Sequence, residues 1–515
     1  MEGVAELNSE ITKAKEHAAG ISLAEVLEGA EVVRVSGPAN ASISSVACDS
    51  RKVAVGSIFF ALPGEKADGF QFASGAIAQG AVAIASSHTR PADIAPEIAW
   101  VELPKGKERR GLALAAANFH GRPAEALKLV GVTGTNGKTT TTFLIDSILR
   151  AAGLSSGLIG TTGYRTPKTT RTALNTTPES LDLQEMFAEV RDAGGTHVVL
   201  EASSHALAMD RLWGCHFAVA VFTNLTRDHL DYHKDFEDYF HAKRRLFEGT
   251  GAGAPEVAVI NADDEYADRL EGLARRTLTY SLKNGADLSA RNVSLGFGGT
   301  EFIAQTPAGK IEIKSPLVGR INVYNILGAI GAGVALGIPA RAIEEGVASL
   351  ELVPGRFQSV DEGQPFLVIV DYAHTDDALR NLISTARELS PSGRIITVFG
   401  AGGERDRTKR PLMGEAAGSL SDIVVLTSDN PRGEDPLRII NDVAVGLQRV
   451  NAKYHAEPDR EHALEIALGQ AQRGDIVLLA GKGHETYQVL REGKIEFDDR
   501  EKARAILRRK GYVKK

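Results

Sequence analysis

Cysteine is almost missing: Cys48 and Cys215 are the only two in 515 residues. They lie far apart without metal-type spacing, and so few thiols point to the reducing cytosol. Long apolar runs are missing too. No stretch approaches the roughly 20 residues that span a bilayer, and the first thirty residues mix Glu, Lys and His with short apolar runs, unlike a signal peptide. Positive charge is not in excess. A formal net charge of −7 argues against a general nucleic-acid binder, which needs a basic face for phosphodiester. The remainder is ordinary for a soluble globular protein, and 515 residues exceed what one core supports. The expectation is a cytoplasmic enzyme of three domains, with no nucleic acid and no membrane among its partners.

The most informative stretch runs from Lys128 to Thr142. An apolar strand (Leu129, Val130, Val132) breaks into a glycine-rich loop, and a helix starts at Thr139. Such a loop leaves backbone N–H groups free to wrap a polyphosphate, and the helix N-terminus adds its positive dipole end. Lys138 then reaches the β/γ-phosphates and the Thr139 hydroxyl takes a place on Mg²⁺, so ATP is the expected ligand. The match to the general P-loop pattern is imperfect: Val132 stands where the first glycine belongs, and Gly131 comes one place early. That variant resembles the Mur ligases and the related folylpolyglutamate synthetases more than GTPases or motor ATPases.

Around this stretch the chain divides into an α/β arrangement of three units. Residues 1–107 read as a small N-terminal α/β domain, with a helix near Leu23–Leu27 and strands at Val32–Val35 and Ile58–Leu62. Asp49-Ser50-Arg51 on its own reads as an Asx-type turn. Residues 108–352 read as a central P-loop domain on a parallel sheet. Its strands Leu158–Thr162, His197–Glu201, Ala218–Phe222 and Val257–Ile260 are near-continuous apolar runs, and 277–315 reads as short strands of a small antiparallel sheet. Glu201 ends its strand, where a ligand of a parallel sheet binds. Residues 353–515, after the Pro354-Gly355 break, alternate strands (Leu367–Val370, Ile395–Phe399, Ile423–Leu426, Ile476–Leu479) with helices, which predicts a Rossmann-like parallel sheet. Loops beginning at Asp371, Gly400, Ser428 and Gly481 then gather at one edge as a pocket for a second substrate.

The motifs together resemble the Mur ligases over nearly the whole chain, and within them the branch that adds the third residue of the peptidoglycan stem peptide. They are G-T-N-G-K-T (134–139), N-T-T-P (175–178), S-S-H-A-L (203–207), T-R-D-H-L-D-Y-H (226–233), Y-F-x-A-K (239–243), P-G-R-F (354–357), D-Y-A-H (371–374), G-G-E-R-D (402–406), D-N-P-R (429–432) and G-K-G-H-E (481–485). The resemblance implies an ATP-dependent amide ligase that joins an amino acid to UDP-N-acetylmuramoyl-L-alanyl-D-glutamate and releases ADP and phosphate. It implies an ATP site at Gly134, Thr135, Asn136, Gly137, Lys138, Thr139 and Thr140, completed by Asn325, Arg356, Asp371 and His374. His374 reads equally as a satisfied structural histidine. It implies one Mg²⁺ on Thr139 and Glu201, and a second on His229 and a carbamylated Lys243. A lone helical lysine is ordinarily a solvated surface charge, and here the flanking motif reverses that reading. Lys138, Lys243, His229 and Glu201 are the expected catalytic set.

For the UDP-sugar peptide the resemblance points to Cys48, Ser50, Lys66 and Ala67, and to Asn175, Thr176, Thr177, Ser203 and Arg211. Met209 departs from the branch, which often carries glutamine there; a thioether cannot donate the amide's hydrogen bonds. For the incoming amino acid, D-N-P-R resembles the signature of enzymes adding meso-2,6-diaminopimelate, whose distal carboxylate suits a planar guanidinium. Arg405 and Arg432 are expected on that carboxylate, Asp429 and Glu485 on the distal ammonium, with Asn430, Pro431 and Gly481 completing the pocket. By itself S-D-N-P-R also reads as an Asx turn ending a strand. The expected partners are these small molecules alone, and the chain is expected to act as a monomer. The rivals are a folylpolyglutamate synthetase-type ligase and a P-loop ATPase that forms no amide.

Overall fold

Strands such as His197–Glu201 and Ile395–Phe399 are buried along their whole length, as strands in a sheet covered on both faces must be. A computed structural model describes residues 20–64, 67–283 and 285–513 and shows three sheets built in this way. The chain is α/β throughout, with parallel strands at the centre of each.

The first sheet has five strands in the order Arg34–Ser36, Ala99–Glu102, Ala83–Ser86, Ser57–Phe60 and Ser45–Ala47. All pairs are parallel except the Arg34–Ser36 edge. Asp49 accepts from the Arg51 backbone and caps a single 3₁₀ turn over Ser50–Lys52, which is the Asx turn expected there.

The central sheet has eleven strands. Its middle is Lys128–Thr133, flanked by His197–Glu201 and Phe217–Phe222. Helices Lys138–Ala151 and Arg320–Ala335 cover one face through Leu144, Ile148, Ile326 and Ile330; Ser180–Asp192 and Phe236–Glu248 cover the other through Phe187, Phe240 and Leu246. The stretch 277–315 corrects the expectation of a separate small sheet. Arg276–Ser281 pairs parallel to Leu288–Gly296, and two further antiparallel strands follow, so these residues extend the central sheet. Alternation alone reads each strand's period but not the neighbour it joins.

The third sheet has six strands, with Ile476–Ala480 between Leu367–Asp371 and Ile395–Phe399. Helices Asp376–Leu389, Lys409–Leu420 and Pro436–Arg449 pack on one face, Arg460–Gln470 and Asp499–Arg509 on the other. Among the described residues no helix is long and apolar enough to cross a membrane.

One buried ion pair holds the loop-bearing edge of this sheet. Arg460 donates to Asp499 at 2.8 and 2.6 Å, and its remaining N–H groups reach the carbonyls of Ser428 (3.2 Å) and Ala480 (3.0 Å). Both side chains are wholly buried, so removing the cation strands a carboxylate and two carbonyls away from water. Arg460→Ala is expected to cost about 3–5 kcal/mol in chemical denaturation of the C-terminal transition; an unchanged midpoint would refute that weight.

Candidate active site

Strand register puts three chain ends level. Glu201 lies beside Val132, and Phe222 beside Thr133, so the P-loop leaves its strand between a carboxylate and the Thr223 turn. Gly137 is left-handed (φ +89) and caps the helix that follows, in contact with the Asn325 side chain, where a Cβ would collide. Glycine is therefore required there by conformation and by space.

At the mouth of this loop Thr139 Oγ1 donates to Glu201 Oε1 (3.0 Å) and accepts from Arg356 Nη2 (3.1 Å), the latter reaching over from the third unit. The Thr161 N–H and hydroxyl hold the two Glu201 oxygens at 2.8 and 3.1 Å. Lys138 donates to the carbonyls of Gly134 (2.9 Å) and Thr135 (2.7 Å), and Lys243 donates to the same Gly134 oxygen at 2.7 Å. Lys243 is 1% exposed; burial, reinforced by the Lys138 cation, holds its amine well below the usual lysine range. Burial lowers Lys138 as well, opposed by Glu201 and Asp228. His229 is left-handed (φ +56) and burial pushes its imidazole down to about 3. Its ring packs against those of His205 and Tyr239.

The third unit closes over this edge. Asn136 Nδ2 donates to Asp377 Oδ2 at 2.8 Å, Arg227 to Thr408 at 2.6 Å, and Lys409 meets Asp228 at 3.4 Å. Asp371 accepts from the backbone N–H of Phe357 and Ala373, fixing the segment that carries Arg356. His374 Nδ1 donates to the Tyr372 carbonyl at 2.9 Å and its other nitrogen lies 3.6 Å from Asp228, so it is a satisfied histidine that also borders the site. Between the two units lies a cavity of about 820 Å³. Lys138, Thr139, Glu201, His229 and Lys243 line it from the central unit, and Arg405, Arg432, His484 and Glu485 from the third.

Comparison with known proteins gives the lineage. Residues 132–333 match the Mur ligase middle domain, 355–483 the Mur ligase glutamate ligase domain, and 42–119 the Mur ligase family catalytic domain. A protein of Solibacter usitatus named UDP-N-acetylmuramoyl-L-alanyl-D-glutamate--2,6-diaminopimelate ligase is 54% identical over 96% of this chain and 99% of its own. The chain belongs to the Mur ligase family. A Geobacillus thermodenitrificans protein of the same name is 46% identical over 91% of this chain and 96% of its own. A solved structure bearing that name superposes with a TM-score of 0.65 at 35% identity, covering 96% of this chain and all of the other.

Within this Mur ligase the sequence-derived residues fall into three groups. Gly134 to Thr140, Asn325, Arg356, Asp371 and His374 converge at the P-loop end, although Gly134 is set behind the cavity wall. Asn175, Thr176, Ser203, Met209 and Arg211 line the cavity, with Thr177 just behind, where its hydroxyl binds the Glu201 carbonyl at 2.6 Å. Arg211 donates to the Thr177 carbonyl (2.8 Å), and one further N–H points at the Met209 sulfur (3.6 Å), so the thioether serves as a weak acceptor for that guanidinium. Arg405, Arg432 and Glu485 line the cavity from the third unit, with Asp429, Asn430, Pro431 and Gly481 outside its surface. Cys48 and Ser50 are not brought to this cavity; Cys48 lies within the field of Glu179, Asp182 and Arg109, and burial pushes its thiol up to about 11. Ala67 is exposed in the first unit, and Lys66 lies outside the described residues.

Three contributors escaped the sequence reading. Asp377 ties the P-loop to the third unit. Lys482 is fully buried among the loop residues Asp429, Asn430 and Glu485. His484 borders the cavity, with burial and then Arg356 pushing its ring down to about 4 and its Nδ1 unpartnered. All lie inside or beside quoted motifs, but nothing in a motif tells a crossing contact from a local one.

The fit to Mg²⁺ is good at the first position, since a hydroxyl and a carboxylate, both hard oxygen donors, already meet there and the remaining places suit water and phosphate. Among the described residues no three His, Cys, Asp or Glu side chains converge as a metal cluster.

Asp377→Ala removes an acceptor shared by Asn136 and Thr226 across the domain boundary. The expected outcome is a larger radius of gyration in solution X-ray scattering of the ligand-free protein; an unchanged profile would show that closure does not depend on this contact.

Proposed function

We propose that this chain is an ATP-dependent ligase that adds meso-2,6-diaminopimelate to UDP-N-acetylmuramoyl-L-alanyl-D-glutamate in peptidoglycan precursor synthesis. One observation carries the reading. A single cavity is lined both by the P-loop with its buried lysines and by the guanidinium and carboxylate groups of Arg405, Arg432 and Glu485, as a reaction between a nucleotide and an amino acid requires. Relatives of that name, 46–54% identical over nearly the full length, support it. In this reading residues 1–107 bind the UDP-sugar, 108–352 bind ATP, and 353–515 bind the amino acid. All the proposed site residues come from one chain, so a monomer suffices, working in the cytoplasm.

The chemistry sets an anion against an anion. The D-glutamate side-chain carboxylate attacks the γ-phosphorus of ATP, ADP leaves, and an acyl phosphate remains. The amine of diaminopimelate then adds to the acyl carbon, and the tetrahedral adduct expels phosphate, giving the amide. The P-loop N–H groups and Lys138 hold the triphosphate, and Arg356, already on Thr139, lies where charge develops on the transferring phosphoryl group. Asn325 and Asp371 border the nucleotide. Thr139 and Glu201 would hold one Mg²⁺, and His229 and Lys243 a second, and the ions would screen phosphate charge. Burial and the Lys138 cation disfavour the ammonium form of Lys243; in its neutral form the amine would have the lone pair to add CO₂, losing one proton and becoming an anionic oxygen ligand. Asn175, Thr176, Thr177, Ser203 and Arg211 align the muramoyl dipeptide so that the attack is in line. Cys48, Ser50, Lys66 and Ala67 serve the uridine end.

At the far end Arg432 and Arg405 take the distal carboxylate, while Asp429 and Glu485 face the distal ammonium beside Gly481, Asn430 and Pro431. The Arg432 guanidinium is aimed by the carbonyls of Gly403 (2.7 Å) and Asn430 (3.3 Å).

Two outcomes test this. Mass spectrometry of an incubation with the UDP-muramoyl dipeptide, ATP and diaminopimelate is expected to show the tripeptide product. L-Lysine, leaving Arg432 unpaired at about 2 kcal/mol, should give a kcat/KM about thirtyfold lower; comparable turnover with lysine overturns the assignment. Lys243→Ala is expected to lose most activity and to recover part of it when short-chain carboxylates are added, and an unimpaired variant removes the lysine from the mechanism.

A further inference from the structure

Lys482 lies between Gly481 (φ +111) and Gly483 (φ +54), two left-handed positions that turn the loop after Ile476–Ala480 so that the side chain runs inward. None of the residue is exposed. Its amine donates to Asn430 Oδ1 at 3.1 Å, Glu485 Oε2 at 3.3 Å and Asp429 Oδ1 at 3.5 Å. An ammonium has three N–H donors, and here each has an oxygen. Asn430 adds a bond from Nδ2 to the same Glu485 oxygen (3.0 Å), and its Oδ1 also accepts the Val489 N–H (2.9 Å). One buried cation and one amide thus fasten the Asp429 loop to the Glu485 loop.

The charges at this end of the cavity follow. Asp429 and Glu485 bring two negative charges; Lys482 and Arg432 bring two positive ones. Arg405 is about half exposed, and its nearest carboxylate is Asp231 at 4.0 Å. The inner set is balanced, and a balanced set suits a group that is itself balanced, a carboxylate and an ammonium on one carbon. A lone ammonium would arrive with no uncompensated anion to meet it. We propose that Lys482 is a positioning residue that cancels the surplus negative charge of Asp429 and Glu485, so that this end selects an amino-carboxylate group over a lone ammonium. The proposal rests on the diaminopimelate reading above.

The experiment compares diaminopimelate and L-lysine as substrates of the full-length wild type, Lys482→Met and Glu485→Gln, with the KM for ATP measured alongside. Wild-type turnover comes first: a wild type that does not use diaminopimelate defeats the functional reading, and with it this proposal. Where the wild type uses it, Lys482→Met is expected to raise the KM for diaminopimelate about tenfold or more. The same variant should leave the KM for ATP within about twofold and raise the lysine-to-diaminopimelate ratio of kcat/KM about tenfold. An unchanged ratio, whatever happens to the diaminopimelate KM, overturns the proposal while leaving the functional reading intact. If Lys482→Met does not fold, Glu485→Gln decides. With Lys482 in place that variant leaves a cation in excess, so the ratio is expected to fall below the wild-type value, and a rise overturns the proposal.

Discussion

Lys138 and Lys243 bring their amines to one carbonyl oxygen, that of Gly134, at 2.9 and 2.7 Å. Two ammonium ions that close in a dry interior repel strongly, because little water lies between them to screen the charge. Burial opposes the charged form of both, and Lys243, which lacks any carboxylate partner of its own, yields the further. The rest of the site is arranged around that conflict: Glu201 and Asp228 supply the nearby negative charge, and Thr139 passes a hydrogen bond between Glu201 and Arg356.

Two sheets have to meet edge to edge for this to work. The central sheet presents the P-loop and Glu201 at the carboxyl ends of adjacent strands, and the third sheet presents Asp371 and the Gly481 loop in the same way, with Asp371 in register with Ala480. Neither edge alone holds both an anion-binding loop and an amino-acid end. Contacts such as Asn136 with Asp377 and Lys409 with Asp228 bring the edges together, and closure of this kind excludes water from the cavity between them.

How much of this was legible in the chain depends on the range of the interaction. The P-loop strand and helix, the apolar strands ending at Glu201 and Asp371, and the alternation of the last unit follow from local periodicity and glycine placement, and they appear within a residue or two of expectation. The strands Ala83–Ser86 and Ala99–Glu102 and the hairpin Tyr487–Leu490/Gly493–Glu496 went unread, being short and lacking a distinctive period. The roles of Asp377, Lys482 and His484 depend on partners at Asn136, Asn430 and Thr161, far away along the chain. A motif names such residues without saying what they touch. The family resemblance supplied candidate roles for Lys243 and Arg432; burial and hydrogen bonding supplied the physical circumstances.

Lys243 and Lys482 make the point most sharply, because composition cannot tell them apart. Each is a lysine inside a quoted motif, and each is almost wholly buried. Lys482 meets two carboxylates and an amide oxygen, so its charge is compensated and its burial serves to fix other groups. Lys243 meets one backbone carbonyl and lies over the face of Tyr239, with the nearest strong field coming from another cation. A protein interior tolerates a charge only where partners replace the lost water. The same side chain is therefore a compensated cation at one position and an amine whose charged form is disfavoured at the other, and the difference lies in the oxygens around it.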